Sequence, residues 1–584
     1  MTFFYRPNFL ICFLLFILFD TTNTHGQDKE VYQVFKLEQK IGTEVISTLT
    51  RNDSTFINIA TQLQDRGYPI QLKIDLRITN DKINLISKGQ TSRFKEEQLD
   101  TEVNLINGFP ISDNGSIKIR ELLIAYWIKM GKPKSIKSAI SGSDITIQEM
   151  INPFKDDAKL SELQAYMINH DLDEVLWLNK KGKSVFFATI DSENDKRELI
   201  SEDFIAEFEK LNQESSRYLI QSYISKSKVL AEKQSTIAIL AGTIVDIAQN
   251  GELRENNMVL IKDGRISYVG ITDKSLIPTG AKVIDATNKF LIPGLWDMHA
   301  HIFHPSFLEK QLLSGVTSVR DMANEFDLVV KLKELTKDKS VPTPDLYAAG
   351  LLDGKSPRAL GRILATNADE IKTNILRYHN AGFDQIKIYD NIKKKDFNTI
   401  VDLAKQYKMD VVGHLPTGYT INYFINNGMK SVSHIHFFMN SINWKTNDLI
   451  TANRPLLDSL KSHHVYLDPT LNIYQLIKDS RLGSFRKLVK LFSDYGISIV
   501  AGTDNEGTIS DEIQNYIQSG MSPLDAIKSA TIIPAVMMGA SDVSGSIEKG
   551  KNGDLLILDE NPLLNISTLK KIHTVIKGSF IIHP

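Results

Sequence analysis

Between residues 291 and 504, short apolar stretches alternate with helical ones, and that rhythm constrains the fold more than any other feature of the chain. The apolar stretches are FLIPGLWDMHAH, GVTSVRDM (315–322), DLYAAGLL (345–352), QIKIYD (385–390), DVVGHLP (410–416), SVSHIH (431–436), VYLDPTL (465–471) and ISIVAGTD (497–504). They are short and rich in branched side chains, as buried strands are. Segments such as ADEIKTNILRYHNAG and DFNTIVDLAKQYK, apolar at helical period, separate most of them. Strands joined by helical crossovers run parallel. Eight such units in roughly 240 residues predict an α/β fold, a (β/α)8 TIM barrel over 291–544. An open doubly wound sheet is the alternative, but no glycine-rich phosphate loop follows the first strand.

The flanks have a different period. Within 27–200, stretches such as VYQVFKLEQKIGTEVISTLTR, STFINIATQL, PIQLKIDLRIT and VLWLNKKGKSVFFATID alternate apolar and polar residues. They predict a mainly antiparallel N-terminal β accessory domain. It carries no cluster of histidines or carboxylates at ligand spacing, so it reads as a packing or docking module. Over 201–235 the period lengthens. Phe204, Phe208, Leu211 and Tyr218 recur at helical spacing and predict a connecting helix with Ser201 as its cap. Strands return over 236–290, with a hairpin about Asp263-Gly264, and again over 545–584. Two strand-rich pieces on either side of the barrel predict one small split β-sandwich domain.

Bulk charge narrows the partners. Lys+Arg 68 against Asp+Glu 70 leaves a net charge of −2 with no basic stripe, which argues against nucleic acid. At the start, MTFFYRPN is followed by the apolar run FLICFLLFILF (9–19). A spanning helix needs roughly 20 apolar residues, so the run reads as a cleaved secretory signal over 1–26, cut near Gly26–Gln27. The mature protein is then expected in the periplasm or outside the cell, off the membrane. The only cysteine, Cys12, lies inside the run. A mature chain without it has no disulfide, and a metal site must use His, Asp, Glu or Lys.

The barrel segment carries the chemistry. In LIPGLWDMHAHIF, residues i and i+2 of a strand point the same way, so Asp297, His299 and His301 share one face. In such a barrel the active residues sit at the C-terminal ends of the strands. The same ends carry Lys387, His414, His434 and Asp504. Lys387 lies between Ile386 and Ile388, so if the isoleucines face the helices the lysine faces the lumen. An acidic residue at 504 can cap a helix, but the next helical stretch starts only near Ser510-Asp511. Neutral imidazoles with a carboxylate are the donor set of Zn²⁺ and similar ions.

The set His-x-His, Lys, His, His, Asp resembles that of the amidohydrolase superfamily, in the branch of imidazolonepropionase-like enzymes and metal-dependent Xaa-Pro dipeptidases. The resemblance covers about 236–584. It rests on FLIPGLWDMHAH, GVTSVRDM, AGFDQIKIY, VVGHLP, AGTD, and MSPLDAIKSATIIPAVMMG followed by GSIEKGKNGDLLILDENPL, the last a close match to that family's C-terminal signature. Each piece alone is weak; the combination is specific. With the 27–200 region, the chain looks like a secreted member with an accessory domain.

The resemblance implies two divalent metal ions, with zinc the expected metal. His299 and His301 would bind the more buried ion and His414 and His434 the second. Asp504 would ligate the first and act as general base. Lys387 would carry CO2 as a carbamate that bridges both. The lysine chemistry also stands by itself: a free lysine titrates near 10.4, and two nearby cations would disfavour its ammonium form. A hydroxide shared by the metals would attack a carbonyl carbon. Tyr389, on the face of Lys387, would bind substrate, and Asp297 and Asp321 would orient ligands. The expected activity is hydrolysis of amide or peptide C–N bonds in small molecules or short peptides such as Xaa-Pro dipeptides. A lactonase or cyclic-amide hydrolase stays open, since fold and metals do not fix the substrate. So do a one-metal site with no carbamate and a non-catalytic periplasmic binding protein. The sequence fixes no oligomeric state.

Overall fold

The computed structural model describes residues 28–111, 115–446 and 448–584, so the expected signal segment 1–26 lies outside them. Among the described residues no helix is long and apolar enough to cross a membrane.

Seven strands follow one another in chain order in one parallel sheet: Leu295–Ala300, Val316–Asp321, Asp345–Leu352, Gln385–Ile388, Asp410–Gly413, Met429–Ser433 and Tyr466–Asp468. Helices such as Ala368–Asn380 and Lys394–Gln406 make the crossovers. The first begins where the Asn367 side chain accepts the Glu370 N–H at 3.0 Å. It buries Ile371, Ile375 and Tyr378, which join Ile386 and Ile388 in the core between strands and helices. Burying one such isoleucine contributes about 1.5–3 kcal/mol.

The eighth stretch is irregular. ISIVAGTD makes a single parallel bridge, between Leu467 and Ile499. Its backbone still closes the ring. Val500 N–H donates to Leu467 O at 2.8 Å on one side; on the other, Met298 N–H donates to Ala501 O at 2.8 Å and Asp504 N–H to His299 O at 2.6 Å. The turn after helix Pro523–Lys528 takes the bonds a regular strand would have made. Ala501 N–H donates to Ser529 O at 2.9 Å and Trp296 N–H to Ala530 O at 2.8 Å. The expected eight regular strands are therefore seven strands and a closing segment.

The N-terminal region is a twelve-stranded antiparallel sheet. Its strand Tyr68–Ile78 shows the expected alternation, with Ile70, Leu72, Ile74 and Leu76 buried and Gln71 and Lys73 exposed. Helix Ile117–Lys129 covers this face, and its Leu123 and Ile124 share a core with Ile59, Ile74 and Leu85. A second helix, Phe208–Leu230, packs on the opposite face of the sheet, where its Leu211 and Tyr218 share a core with Val175, Trp177 and Phe186. There Trp177 stacks on Tyr218 at 5.8 Å and donates to Ser215 Oγ at 3.0 Å. This helix starts later than expected. Ser201 still ends the strand Lys196–Ser201, a 3-10 turn Glu202–Glu207 follows, and the Ser201 side chain makes no capping bond. The helix also reaches the barrel, where Tyr223 OH donates to Pro342 O at 2.6 Å.

Strands from both flanks of the barrel form one nine-stranded sheet. Leu555–Leu558 pairs with Phe290–Pro293 on one side and with Thr574–Lys577 on the other. That pairing joins the two pieces into one β domain, and the hairpin about Asp263-Gly264 folds back on it, where Gly553 N–H donates to Gly264 O at 2.8 Å. Ile239, Val259, Leu291, Ile557 and Ile576, drawn from both pieces, share one core.

Candidate metal centre

His299 sits on the first barrel strand and Lys387 on the fourth; His301, His414 and His434 follow the first, fifth and sixth, and Asp504 ends the closing segment. The fold brings all six to one place. Asp504 Oδ1 lies 3.0 Å from His301 Nε2 and 3.5 Å from His299 Nε2, and Oδ2 lies 3.9 Å from His434 Nε2. His434 Nε2 and His414 Nε2 are 3.1 Å apart. Lys387 Nζ is 3.3 Å from His299 Nε2.

Each ring is held by its other nitrogen. His299 Nδ1 donates to Asp468 Oδ2 at 2.7 Å, His301 Nδ1 to Ala323 O at 2.7 Å, and His414 Nδ1 to Asp390 Oδ1 at 2.7 Å. His434 Nδ1 lies 2.8 Å from Thr470 Oγ1. The first three partners are acceptors and leave Nε2 of His299, His301 and His414 with a free lone pair, while the Thr470 hydroxyl, which can donate or accept, fixes the His434 ring. A cation between the rings would take up these lone pairs. Burial holds His299 and His434 well below the usual imidazole range, which keeps them neutral. Burial works to raise Asp504; positive charge on the imidazoles, His299 first, pulls the carboxyl well below its ordinary range, and a bound cation would take over that pull once the rings are neutral. Burial pushes Lys387 down to about 8, against the pull of Asp504. Neutral imidazoles, an ionised carboxylate and an amine close to losing its proton make a donor set that fits divalent ions.

The backbone at the site is strained. His434 (φ 66°), Thr470 (φ 51°), Asp504 (φ 53°) and Asn505 (φ 61°) are non-glycine residues in the left-handed region. Each costs of order 1–2 kcal/mol. Reciprocal bonds pin the last two: His301 N–H donates to Asn505 Oδ1 at 2.9 Å, and Asn505 Nδ2 donates to His301 O at 2.7 Å. Gly502 is required by close approach. A β-carbon there would meet His299 Cβ at 2.5 Å and Asp468 Oδ1 at 2.6 Å.

The sequence profile of the amidohydrolase family matches residues 290–581, which span the barrel and the terminal strands. This chain belongs to that family. Among curated proteins it is 27% identical over 360 residues to an adenine deaminase of Methanocaldococcus jannaschii, covering 58% of this chain and 59% of the deaminase. It is 22% identical over 409 residues to ochratoxinase of Aspergillus niger, covering 57% of this chain and 83% of that one. This amidohydrolase thus spans about three fifths of the length of the deaminase it matches. Among solved structures, a Xaa-Pro dipeptidase with methionine bound in its active site aligns with a TM-score of 0.50 at 21% identity, over 60% of this chain and 100% of that one. Ochratoxinase of A. niger aligns with a TM-score of 0.50 at 20% identity, over 60% and 97%. These likenesses show the fold of the barrel with its flanking sheet.

The remaining expected residues take different places. Asp297 accepts from His299 N–H at 3.0 Å, Thr503 N–H at 3.1 Å and Thr503 Oγ1 at 2.6 Å. It ties the first strand to the loop before Asp504, through backbone and hydroxyl rather than through an imidazole. Asp321 accepts from Ile302 N–H at 3.1 Å and Asn324 Nδ2 at 2.8 Å, bracing the turns on either side of His301 and its partner Ala323. The Tyr389 ring packs on His414, centroids 4.1 Å apart.

Sequence reasoning missed several groups. Asp468 holds His299, and the fully buried Arg320 backs it with Nη2 at 3.3 Å. Arg320 also donates to Met298 O at 2.6 Å. Asp390 orients His414. His436 stacks 6.0 Å from His434, and its Nδ1 meets Tyr474 OH at 2.6 Å. The signal for Asp468 was present: it ends the seventh strand in VYLDPTL.

Proposed function

We propose that this amidohydrolase is a secreted, metal-dependent hydrolase of C–N bonds in small substrates, with Xaa-Pro dipeptides as the preferred class. One observation carries the reading: four Nε2 atoms, the Lys387 amine and the Asp504 carboxylate converge at one barrel mouth. His299, His301 and Asp504 would hold one ion, zinc by this donor set, and His414 and His434 a second. Lys387, as a carbamate, would join the two. Bound ions of this kind lower the pKa of water from about 15.7 toward 7 and polarise a carbonyl.

The chain's own groups do the rest. Asp504, ionised and within reach of three imidazoles, takes the proton of the attacking water and passes it to the leaving nitrogen. Tyr389, packed against His414, donates a hydrogen bond from its hydroxyl to the substrate. Asp468, Asp390 and the Ala323 carbonyl keep the rings in one tautomer. The apolar run at 9–19 supports secretion. The fold shared with a Xaa-Pro dipeptidase and the sequence likeness to an adenine deaminase support a reaction at a C–N bond.

The test is turnover of the zinc-loaded protein on Xaa-Pro dipeptides, N-acyl amino acids and lactones, with metals counted in parallel. Dipeptide cleavage that falls about 10²–10⁴-fold in Asp504→Asn is expected. Cleavage of lactones alone, or activity within a few fold of wild type in that variant, would defeat the proposal.

A further inference from the structure

Asp468, Asp390 and Thr470, beside His299, His414 and His434, all belong to the barrel. His301 is held from outside as well. The accessory domain grips the chain around it at three points.

The firmest grip is on Glu325, two residues beyond the Ala323 carbonyl that accepts from His301 Nδ1 at 2.7 Å. Lys196, which opens the accessory strand Lys196–Ser201, reaches Glu325 Oε2 at 2.5 Å, and Asn212 of helix Phe208–Leu230 donates to the same oxygen at 3.1 Å. An ammonium has three donors, and the other two of Lys196 go to Asn212 Oδ1 at 2.6 Å and Glu198 Oε1 at 3.0 Å. The side chains of Lys196 and Glu325 are each 2% exposed. Such a pair resists separation, because parting it leaves an uncompensated charge out of water. The hold passes back along the loop. Glu325 N–H donates to Asn324 Oδ1 at 2.8 Å and Asn324 Nδ2 to Asp321 Oδ2 at 2.8 Å, with Ala323 between them.

The second grip is on His304, three residues after His301. Its Nδ1 accepts the Ser306 N–H at 3.1 Å, so its Nε2 donates to Asp173 O at 3.1 Å, where the accessory strand Asp173–Leu178 begins. The third is Asn194, whose Nδ2 donates to Asn505 O at 3.4 Å; Asn505 is bonded to both the N–H and the carbonyl of His301. Asp173, Asn194 and Lys196 stand at one end of the accessory sheet.

Resting on the reading of His301 as a metal ligand, we propose that the accessory sheet braces this one ligand, with Lys196 as a positioning residue that acts through Glu325 and the Ala323 carbonyl on the His301 ring. The accessory domain thereby belongs to the metal centre although it offers the ions no donor. A ligand histidine keeps its orientation through the acceptor on its other nitrogen, and a loop that shifts takes that acceptor away. The effect is selective: loosening the brace frees His301 and leaves His414, held by Asp390, in place.

Chelator-competition titration of the full-length, metal-free protein with Co²⁺ tests this, using Lys196→Met and Glu325→Ala in wild-type and His301→Ala backgrounds. Glu325→Ala leaves Lys196 with Asn212 and Glu198, which keeps the test open if Lys196→Met fails to fold. In the wild-type background each change should weaken Co²⁺ binding about tenfold or more. In the His301→Ala background each should weaken it by less than about twofold, because the ring they position is gone. Glu325→Gln, whose amide oxygen still accepts from Lys196 and Asn212, should restore most of the affinity. Equal losses in both backgrounds, as general destabilisation gives, or no loss in the wild-type background would overturn the brace. Hydrogen exchange on the metal-free protein needs no ion. Peptides spanning 300–306 and 321–326 should exchange faster in both variants than in wild type, with 410–416 unchanged; a uniform change, or none, would also overturn it. Wild type that takes up no Co²⁺ would defeat the metal centre instead, with the exchange pattern still reporting on the brace.

Discussion

Asp468→Asn isolates what the site demands of a residue that touches no substrate. In wild type the Asp468 side chain is wholly buried, and Oδ2 receives His299 Nδ1 at 2.7 Å, Arg320 Nη2 at 3.3 Å and Ser433 Oγ at 3.3 Å. All three donors converge on one oxygen. An amide that keeps its oxygen there still accepts from all three, with its NH2 in place of Oδ1, which has no partner; turned over, it presents the NH2 to His299 and Arg320. If His299 loses its acceptor, its Nε2 is no longer held as a lone pair toward the metals, and zinc affinity should fall about 10–100-fold, or about 1.4–2.7 kcal/mol. If Arg320 loses it, a buried guanidinium is left with Met298 O and Gln385 Oε1, and stability should fall by about 3 kcal/mol. pH separates the cases. Burial pushes Asp468 up to about 8, with Arg320 opposing. The folded, metal-free protein therefore binds this proton more tightly than the unfolded chain does. Stability from it is full near pH 4 and is lost as pH rises toward 8. The asparagine variant lacks that slope. Chelator-competition titrations with zinc give the affinity, and melts in EDTA between pH 4 and 8 give the slope. Zinc binding within twofold of wild type, together with an unchanged pH slope, would refute the reasoning.

Other consequences can be measured with the same protein. Because Lys387 is brought down to about 8, its neutral fraction should rise from roughly 10% at pH 7 to roughly 90% at pH 9. Metal-stripped protein supplied with bicarbonate should then recover its second metal faster at pH 9, with added CO2 mass on Lys387; equal rates at both pH values would count against the carbamate. Gly502→Ala places a methyl 2.5 Å from His299 Cβ and 2.8 Å from His299 N, positions that flexible side chains cannot vacate. It should cost about 1–3 kcal/mol in thermal or urea melts, with metal lost in step, and a variant of wild-type stability would mean that the loop moves freely. Filling the site should raise stability by about 4 kcal/mol at a thousandfold excess of free zinc over its Kd, so an unshifted melting midpoint in EDTA would argue that no ion is held there.

What the sequence revealed and what it hid follow from the reach of each rule. Strand period and the strand-end rule gave His414, His434 and Lys387 an address, because both are local: Ile386 and Ile388 face the outer core and leave Lys387 inward whatever packs around them. Asp468 ends a strand just as plainly, yet its role depends on His299, 169 residues away, and on Arg320 from another strand. Periodicity holds no trace of such a pairing. The closing segment failed as a strand for a related reason: Ser529 O takes its Ala501 N–H and Ala530 O takes the Trp296 N–H of the first strand, and nothing in ISIVAGTD announces a competitor. The accessory sheet shows the same limit at larger scale. Its alternation was legible strand by strand, while Asn194 and Lys196 read as an ordinary turn residue and an ordinary strand end until the fold laid them against the barrel. Residues whose work is to hold another residue, or to meet another domain, carry no mark of their own. They emerge only when the groups they serve have been placed. In this protein those groups are imidazoles whose Nε2 atoms turn to one place, those of His414 and His434 only 3.1 Å apart.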